Sequence, residues 1–125
     1  SLKMLLILLF LAHYIADYTH LSTVWMLNAK KIGKPLFPIF IHALVHSLLM
    51  TIIIIFFTDW NILILYLLII QLLSHFIIDT LKGKMNIWFP SIQNPANKFH
   101  WYVFGFDQYL HILVIILMNY LILKQ

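Results

Sequence analysis

Histidine and aspartate residues recur in this chain in pairs that are four positions apart. The chain has four acidic residues and seven histidines, and three of the acids and five of the histidines belong to these pairs. The pairs are His13–Asp17, His42–His46, His75–Asp79 and Asp107–His111. Residues four apart lie on one face of an α-helix, about one turn from each other. Each pair therefore predicts two polar side chains that point from one helix face toward a common site.

Imidazole nitrogen and carboxylate oxygen suit Zn²⁺, Mn²⁺ or Fe²⁺, and the chain has no cysteine to supply sulfur. We therefore predict a metal site, most readily for zinc. Its candidate ligands are His13, Asp17, His42, His46, His75, Asp79, Asp107 and His111. Eight candidates exceed the four ligands of one tetrahedral zinc ion. Either two ions share the site, which we favour, or one ion takes about four residues and the others orient ligands or act as bases.

The segments that carry the pairs are almost free of charge. The chain is 63% hydrophobic and 10% charged, whereas a soluble domain carries roughly 25% charged residues. About 20 apolar residues suffice for a helix to cross a membrane. We therefore expect an all-α fold, a four-helix transmembrane bundle that forms one integral-membrane domain over residues 1–125. Its helices are expected at about residues 2–18, 36–57, 62–81 and 104–123.

Local signals predict several helix ends. Residues 1–16 resemble a signal peptide, but their removal would delete one pair, so we expect a membrane helix there. Pro35 suits the first turn of the second helix, and Asp59 or Asn61 can cap the third. Gly83 follows a lysine and predicts the end of that third helix.

Two longer connections, residues 19–34 and 83–103, lie on the same side of a four-span bundle. Six of the eight lysines fall in or beside them, so the positive-inside rule predicts cytoplasmic connections and both termini outside. We expect a multi-pass protein of the cytoplasmic membrane whose partner is the lipid bilayer. The few lysines do not suggest nucleic acid, and an oligomer is left open.

Alternating helix directions bring all four pairs to one depth near the cytoplasmic side. The residues nearest the cytoplasm are Asp17, His42, Asp79 and Asp107. About 6 Å deeper, one helical turn away, are His13, His46, His75 and His111. A lone membrane histidine more often forms an interhelical hydrogen bond than binds a metal. Haem is another candidate for facing histidines, but it gives the carboxylates no role. Four pairs in register favour the metal site over both.

Three residues are candidates for a catalytic role. Asp17 or Asp107 could be a general base rather than a ligand. Lys82 follows Asp79 by three residues and could stabilise developing negative charge. A lysine at a helix end, however, more often reaches toward lipid headgroups. Gln108 could hydrogen-bond a substrate, although helix capping explains it equally well.

The strings LAHYIADY, HALVHSLL, LLSHFIIDTLKGK and FDQYLHIL resemble a bacterial family of small membrane proteins that is described only as a domain of unknown function. Spacing, order and the lysine and glutamine neighbours agree over nearly the whole chain. The resemblance implies a shared fold without an established activity. The chain is more distantly similar to proteins described as membrane-bound metal-dependent hydrolases, which implies similar His/Asp chemistry.

The expected function is a membrane-embedded, metal-dependent hydrolase that opens toward the cytoplasm. A site at headgroup depth suits an amphiphile, such as a phospholipid or a lipid-linked phosphate. The alternatives are a divalent-metal or proton transporter and a metal-stapled structural protein. The outer half of the bundle, near residues 52–57 and 63–68, is almost purely apolar, which disfavours a conduit.

Overall fold

The computed structural model describes residues 2–125, which form five α-helices and one short 3-10 helix. The elements are α1 (Leu2–Tyr18), α2 (Val24–Ile32), α3 (Leu36–Ile55), α4 (Ile62–Trp88), the 3-10 helix (Pro90–Gln93) and α5 (Lys98–Lys124). Over this range no residue lies in a β-strand. The all-α prediction is therefore confirmed.

Within residues 2–125, three helices, α3, α4 and α5, are long and apolar enough to cross a membrane, which indicates a membrane protein. Helix α1 has 17 residues, or about 26 Å at a rise of 1.5 Å per residue. That length falls short of the roughly 30 Å hydrocarbon core of a bilayer. The expectation of four spanning helices therefore holds for three of them and fails for α1.

Contacts between α1, α3, α4 and α5 nevertheless form a closed ring. Helix α1 packs on α3, α3 on α4, α4 on α5, and α5 on α1. Because the ring follows alternating chain directions, each of these neighbours is antiparallel. Helix α2 lies outside the ring and packs on α3 and α4.

Helices α4 and α5 extend beyond their predicted limits of residues 81 and 104. Helix α4 continues through Gly83 to Trp88, so the predicted stop at this glycine is wrong. The positive φ of a terminating glycine occurs at Gly33 instead, where φ is 75° and α2 ends. Helix α5 begins at Lys98, and its connection from α4 is therefore shorter than predicted.

Polar caps account for these helix starts. The side-chain oxygen of Asn97 accepts a hydrogen bond from Phe99 N at 3.0 Å, which fixes the start of α5. Asn61, one of the two predicted caps, accepts from Leu63 N at 2.8 Å and starts α4. Thr23 accepts from the backbone N–H of the third residue of α2 at 3.3 Å.

A close glycine contact seats α2 against α4. A Cβ atom added to Gly83 would lie 2.3 Å from Gly33 N and 2.4 Å from Lys30 O. Real side chains do not approach backbone atoms this closely, so only glycine at position 83 permits the contact. The contact brings the C-terminal turn of α2, including Lys30, against the ring of four helices.

The interior of the ring is divided along its length. One half is filled by the buried apolar side chains of Leu5, Leu9, Met50, Ile54, Ile64, Leu67, Ile115, Met118 and Ile122. The other half contains buried histidine and aspartate side chains. Large apolar side chains such as Ile7 and Leu65 cover the outside.

Candidate metal centre

Asp17 on α1 lies at the centre of three histidines. Its Oδ1 atom is 2.8 Å from His42 Nε2 and 2.9 Å from His46 Nε2, both on α3. Its Oδ2 atom is 3.4 Å from His13 Nε2, one turn earlier on α1. The two oxygens of this carboxylate therefore face different histidines.

Asp79 on α4 makes a similar set of contacts. Its Oδ2 atom is 3.1 Å from His75 Nε2 and 3.6 Å from His42 Nε2. Its Oδ1 atom is 3.2 Å from His111 Nε2 on α5. This side chain is 4% exposed, and it joins groups from three helices.

Asp107 completes the set of predicted residues. Its Oδ1 atom is 3.4 Å from His111 Nε2, and its Oδ2 atom accepts a hydrogen bond from Gln108 Nε2 at 2.9 Å. The Gln108 carbonyl oxygen is 3.1 Å from His13 Nε2, which then donates to it. The eight predicted ligands are thus linked in one cluster, and Gln108 connects its α1 and α5 sides.

The predicted arrangement in two tiers is largely present. The imidazole rings of the deeper tier approach one another, with centroids 3.7 Å apart for His46 and His75 and 4.1 Å apart for His75 and His111. The His13 ring lies 5.1 Å from that of His46. A cavity of about 490 Å³ opens onto the other tier. Its lining includes the three carboxylates but none of the five histidines. His42, which was predicted to lie in the same tier as the carboxylates, therefore does not line the cavity.

Among the residues that the structure describes, two overlapping groups of donor atoms are close enough together to hold a metal ion. In each group the donor atoms lie within 4.8 Å of one another. The first group is Asp17, His42, His46 and His75. The second is His75, Asp79 and His111. Six of the eight predicted ligands therefore belong to a group, while His13 and Asp107 lie beside them.

The hydrogen bonds of His75 fit a role as a metal ligand. The Gln71 carbonyl oxygen is 3.3 Å from His75 Nδ1 and can only accept, so Nδ1 carries the hydrogen. In the neutral ring Nε2 then bears a lone pair. This Nε2 is buried, has no hydrogen-bond partner and faces the Asp79 carboxylate. A nitrogen lone pair and a carboxylate oxygen this close repel each other unless a proton or a cation lies between them. A histidine that a hydrogen bond orients in this way is typical of metal sites.

Gln71 was not among the predicted site residues. It is 2% exposed, and its amide nitrogen contacts the sulfur atoms of Met50 at 3.0 Å and Met118 at 3.5 Å. A sequence signal exists, because Gln71 precedes His75 by four residues, the spacing of the predicted pairs. Gln71 therefore extends the polar face of α4 one turn toward the apolar half.

Lys30 is a second residue that the sequence reasoning missed. Its Nζ atom is 3.2 Å from His42 Nε2, 3.5 Å from Asp17 Oδ1 and 3.9 Å from Asp79 Oδ2. Burial disfavours its charge, but the carboxylates of Asp79, Asp17 and Asp107 outweigh burial and raise the pKa of Lys30 above its ordinary value. The sequence shows only that Lys30 follows an apolar residue, Met26, by four positions, which places both on one face of α2, and it does not show that this face is buried.

Lys82 was predicted to lie beside the carboxylates, but its ammonium group contacts an aromatic ring. Its Nζ atom lies 5.0 Å from the centroid of the Phe104 ring, a cation–π contact. The structure gives it no ion pair with Asp79 among the described residues, although both line the cavity. Its catalytic role stays a prediction, as do the roles of Asp17 and Asp107.

A protein-family model described as "Protein of unknown function (DUF3307)" matches residues 5–125, a range that includes all four pairs. The chain belongs to the DUF3307 family. This match confirms the resemblance to a family of unknown function, whereas the similarity to metal-dependent hydrolases stays a prediction. No curated protein and no solved structure gives a significant match.

Proposed function

We propose that the protein is a membrane-embedded, metal-dependent hydrolase with a centre for two divalent ions, zinc being the most suitable. The observation that carries the proposal is the division of each central carboxylate between two sets of histidines. Asp17 directs Oδ1 to His42 and His46 and Oδ2 to His13. Asp79 directs Oδ2 to His75 and Oδ1 to His111. Two buried carboxylates with separate histidine partners could each hold one of two adjacent cations.

One ion would be held by the group of Asp17, His42, His46 and His75. The other would be held by Asp79 and His111, with Asp107 as a further oxygen donor or base. Bound divalent ions of this kind supply a water of lowered pKa and polarise the bond to be hydrolysed. The donor set, which lacks glutamate, also differs from the Glu-rich pattern of ferritin-like di-iron bundles.

Asp107 is the better general base of the two carboxylates considered. Three histidine nitrogens lie within 3.4 Å of the Asp17 oxygens, whereas one, His111 Nε2, lies that close to Asp107, so Asp17 has less freedom to accept another proton. Asp107 lines the cavity, and Gln108 holds its Oδ2 while its Oδ1 has no hydrogen-bond partner. An oxygen that is oriented but not saturated suits proton transfer.

The lining of the cavity favours an anionic amphiphile as substrate, such as a phospholipid or a lipid-linked phosphoester. Three lysines line it, namely Lys30, Lys31 and Lys82, and the three aspartates beside them would face the bound cations. The apolar side chains of Leu27 and Phe104 line it as well. The lysine distribution supports an orientation in which this cavity faces the cytoplasm and the C-terminal end of α5 lies outside.

The two alternatives fit less well. A transporter needs polar groups along its path, but the other half of the bundle is filled by apolar side chains such as Leu9, Met50 and Leu67. A purely structural metal site has no need of access, whereas a cavity reaches the carboxylates of this cluster.

The test is metal analysis of the purified protein, followed by hydrolysis assays on phospholipids and lipid-linked phosphates. We expect bound zinc that is lost in the His46→Ala and Asp79→Ala variants. It should be retained in His20→Ala, a histidine variant outside the cluster. Equal metal content in all four proteins, or none in any, would refute the metal centre. Metal without turnover of any phosphoester would leave the centre standing and refute the hydrolase.

A further inference from the structure

A second, smaller cavity adjoins the first and contains no acidic side chain. Its volume is about 170 Å³. Its lining consists of Lys31, Lys82, Asn86, Ile92, Gln93, His100, Val103 and Phe104. Four of these residues also line the larger cavity: Lys31, Lys82, Asn86 and Phe104. The two cavities therefore share a wall that carries two lysines.

The charges of the two cavities differ. The larger cavity combines three lysines with three aspartates, whereas the charged residues that line the smaller one are lysines alone. Neither Lys31 nor Lys82 forms an ion pair among the described residues, because three of the four acids belong to the cluster, where the paired ammonium group is that of Lys30. The fourth, Asp59, lies in the connection between α3 and α4. An anion from outside the chain is thus the natural partner of these two ammonium groups.

Hydrogen bonds fix the walls of the smaller cavity. Asn86 Nδ2 donates to Lys31 O at 2.9 Å and ties α4 to α2. Gln93 Nε2 donates to Asn86 O at 3.0 Å and ties the 3-10 helix to α4. His100 Nδ1 donates to Ile92 O at 2.7 Å and ties α5 to the 3-10 helix. Four elements are therefore locked together around the cavity, which reduces the cost of ordering it for a ligand.

We propose that the smaller cavity binds a phosphate group, held by Lys31 and Lys82 without a metal ion. The volume is below the roughly 300–1,000 Å³ of pockets for drug-sized ligands, which suits a small group rather than a whole headgroup. Phe104 keeps the Lys82 ammonium beside the shared wall. The phosphate belongs either to a lipid headgroup or to a free phosphate compound, since both present the same anionic oxygens.

Binding is measured on metal-free protein, prepared with a chelator and held in a neutral detergent or in nanodiscs. Titration with inorganic phosphate tests the free source. Nanodiscs that contain phosphatidic acid, compared with phosphatidylcholine alone, test the headgroup source. We expect at least one source to bind, and both Lys31→Met and Lys82→Met to weaken that binding tenfold or more. Lys98→Met should change it less than twofold, because this lysine lines neither cavity.

The Asp79→Ala variant separates this inference from the metal centre, since it should lose metal but keep phosphate binding. The inference is overturned if neither source binds the metal-free protein. It is equally overturned if phosphate binds only after metal is added, or if Lys98→Met weakens binding as much as Lys82→Met does. Circular dichroism of each variant excludes unfolding as the cause of a loss.

Discussion

The two halves of the helix ring differ in what their inward faces contain, although the same four helices form both. On α1 the face changes from Leu5 and Leu9 to His13 and Asp17. On α5 it changes from apolar side chains to His111 and Asp107, while α3 and α4 change in the same direction. A continuous helical face thus passes from apolar packing to ionisable groups within about one turn.

The difference separates stability from function. Apolar side chains pack tightly without specific partners, whereas buried ionisable groups cost several kcal/mol each unless they are paired. The polar half therefore lowers stability, a cost that is consistent with the proposed role in binding a metal. The comparison predicts that variants in the apolar half change stability alone, while variants in the polar half change metal binding first.

The largest effect on stability is expected in the apolar half. Leu67 is fully buried there, and Leu67→Ala should lower the free energy of unfolding by about 2–5 kcal/mol. Its metal affinity should stay within twofold, because no cluster residue is altered. Thermal unfolding in detergent and zinc titration measure the two quantities. A large loss of zinc affinity in this variant would break the distinction between the halves.

The next largest effect on stability is expected where α2 packs against α4. Gly83→Ala should lower the free energy of unfolding by about 1–3 kcal/mol, because its Cβ atom would overlap the backbone of α2. Displacement of α2 should also expose Lys30, which an amine-reactive reagent and mass spectrometry would detect. The matched control is Gly105→Ala, since a Cβ atom there has nothing within 4 Å. Equal stability of the two variants would contradict the close contact.

A smaller effect is expected at the border between the halves. Gln71→Leu removes the acceptor that orients His75 and should weaken zinc binding about 10- to 100-fold. Gln71→Glu keeps an acceptor at the same position and should restore most of the affinity. Loss of affinity in both variants would instead indicate a role for Gln71 in packing between the two methionine sulfur atoms.

The smallest expected effect is a gain in zinc affinity rather than a loss. Lys30→Met should strengthen zinc binding about tenfold, or about 1.4 kcal/mol, because the ammonium repels a second cation and contacts the same donor atoms. Lys34→Met, an exposed lysine in the next connection, should leave zinc affinity unchanged. Weaker zinc binding in Lys30→Met would show that this lysine supports the centre rather than competing with it.

The convergence of the four pairs could be predicted from the sequence because it follows from simple geometry. Four-residue spacing fixes one helix face, and alternating chain direction brings the pairs to one level. Gln71 and Gly83 lie on the same face of α4 as His75 and Asp79, each four residues from the next, so the four-residue spacing continues on both sides of the predicted pair.

Features that depend on how α2 docks could not be predicted in the same way. Lys30 enters the cluster only because α2 packs across α3 and α4, and no periodicity in the ring helices specifies that packing. A glycine after a lysine, as at Gly83, is typical of a helix end. Here the missing side chain instead allows a close contact with the backbone of Lys30 and Gly33, which are far away in sequence. The predicted bounds of α1, about residues 2–18, agree with the observed Leu2–Tyr18, so the error concerns only the expectation that 17 residues span the membrane.

The contact between Gly33 and Gly83 has a consequence for the synthesis of the chain. Helix α2 leaves the ribosome before α4, and segments made first can begin to fold first. The surface of α4 on which α2 packs, however, exists only after α4 has been extended past Gly83. Until then Asp17 and His42 lack the fixed ammonium group of Lys30 beside them. The charge balance of the cluster is therefore completed late in translation, after the helices that carry most of its members have been made.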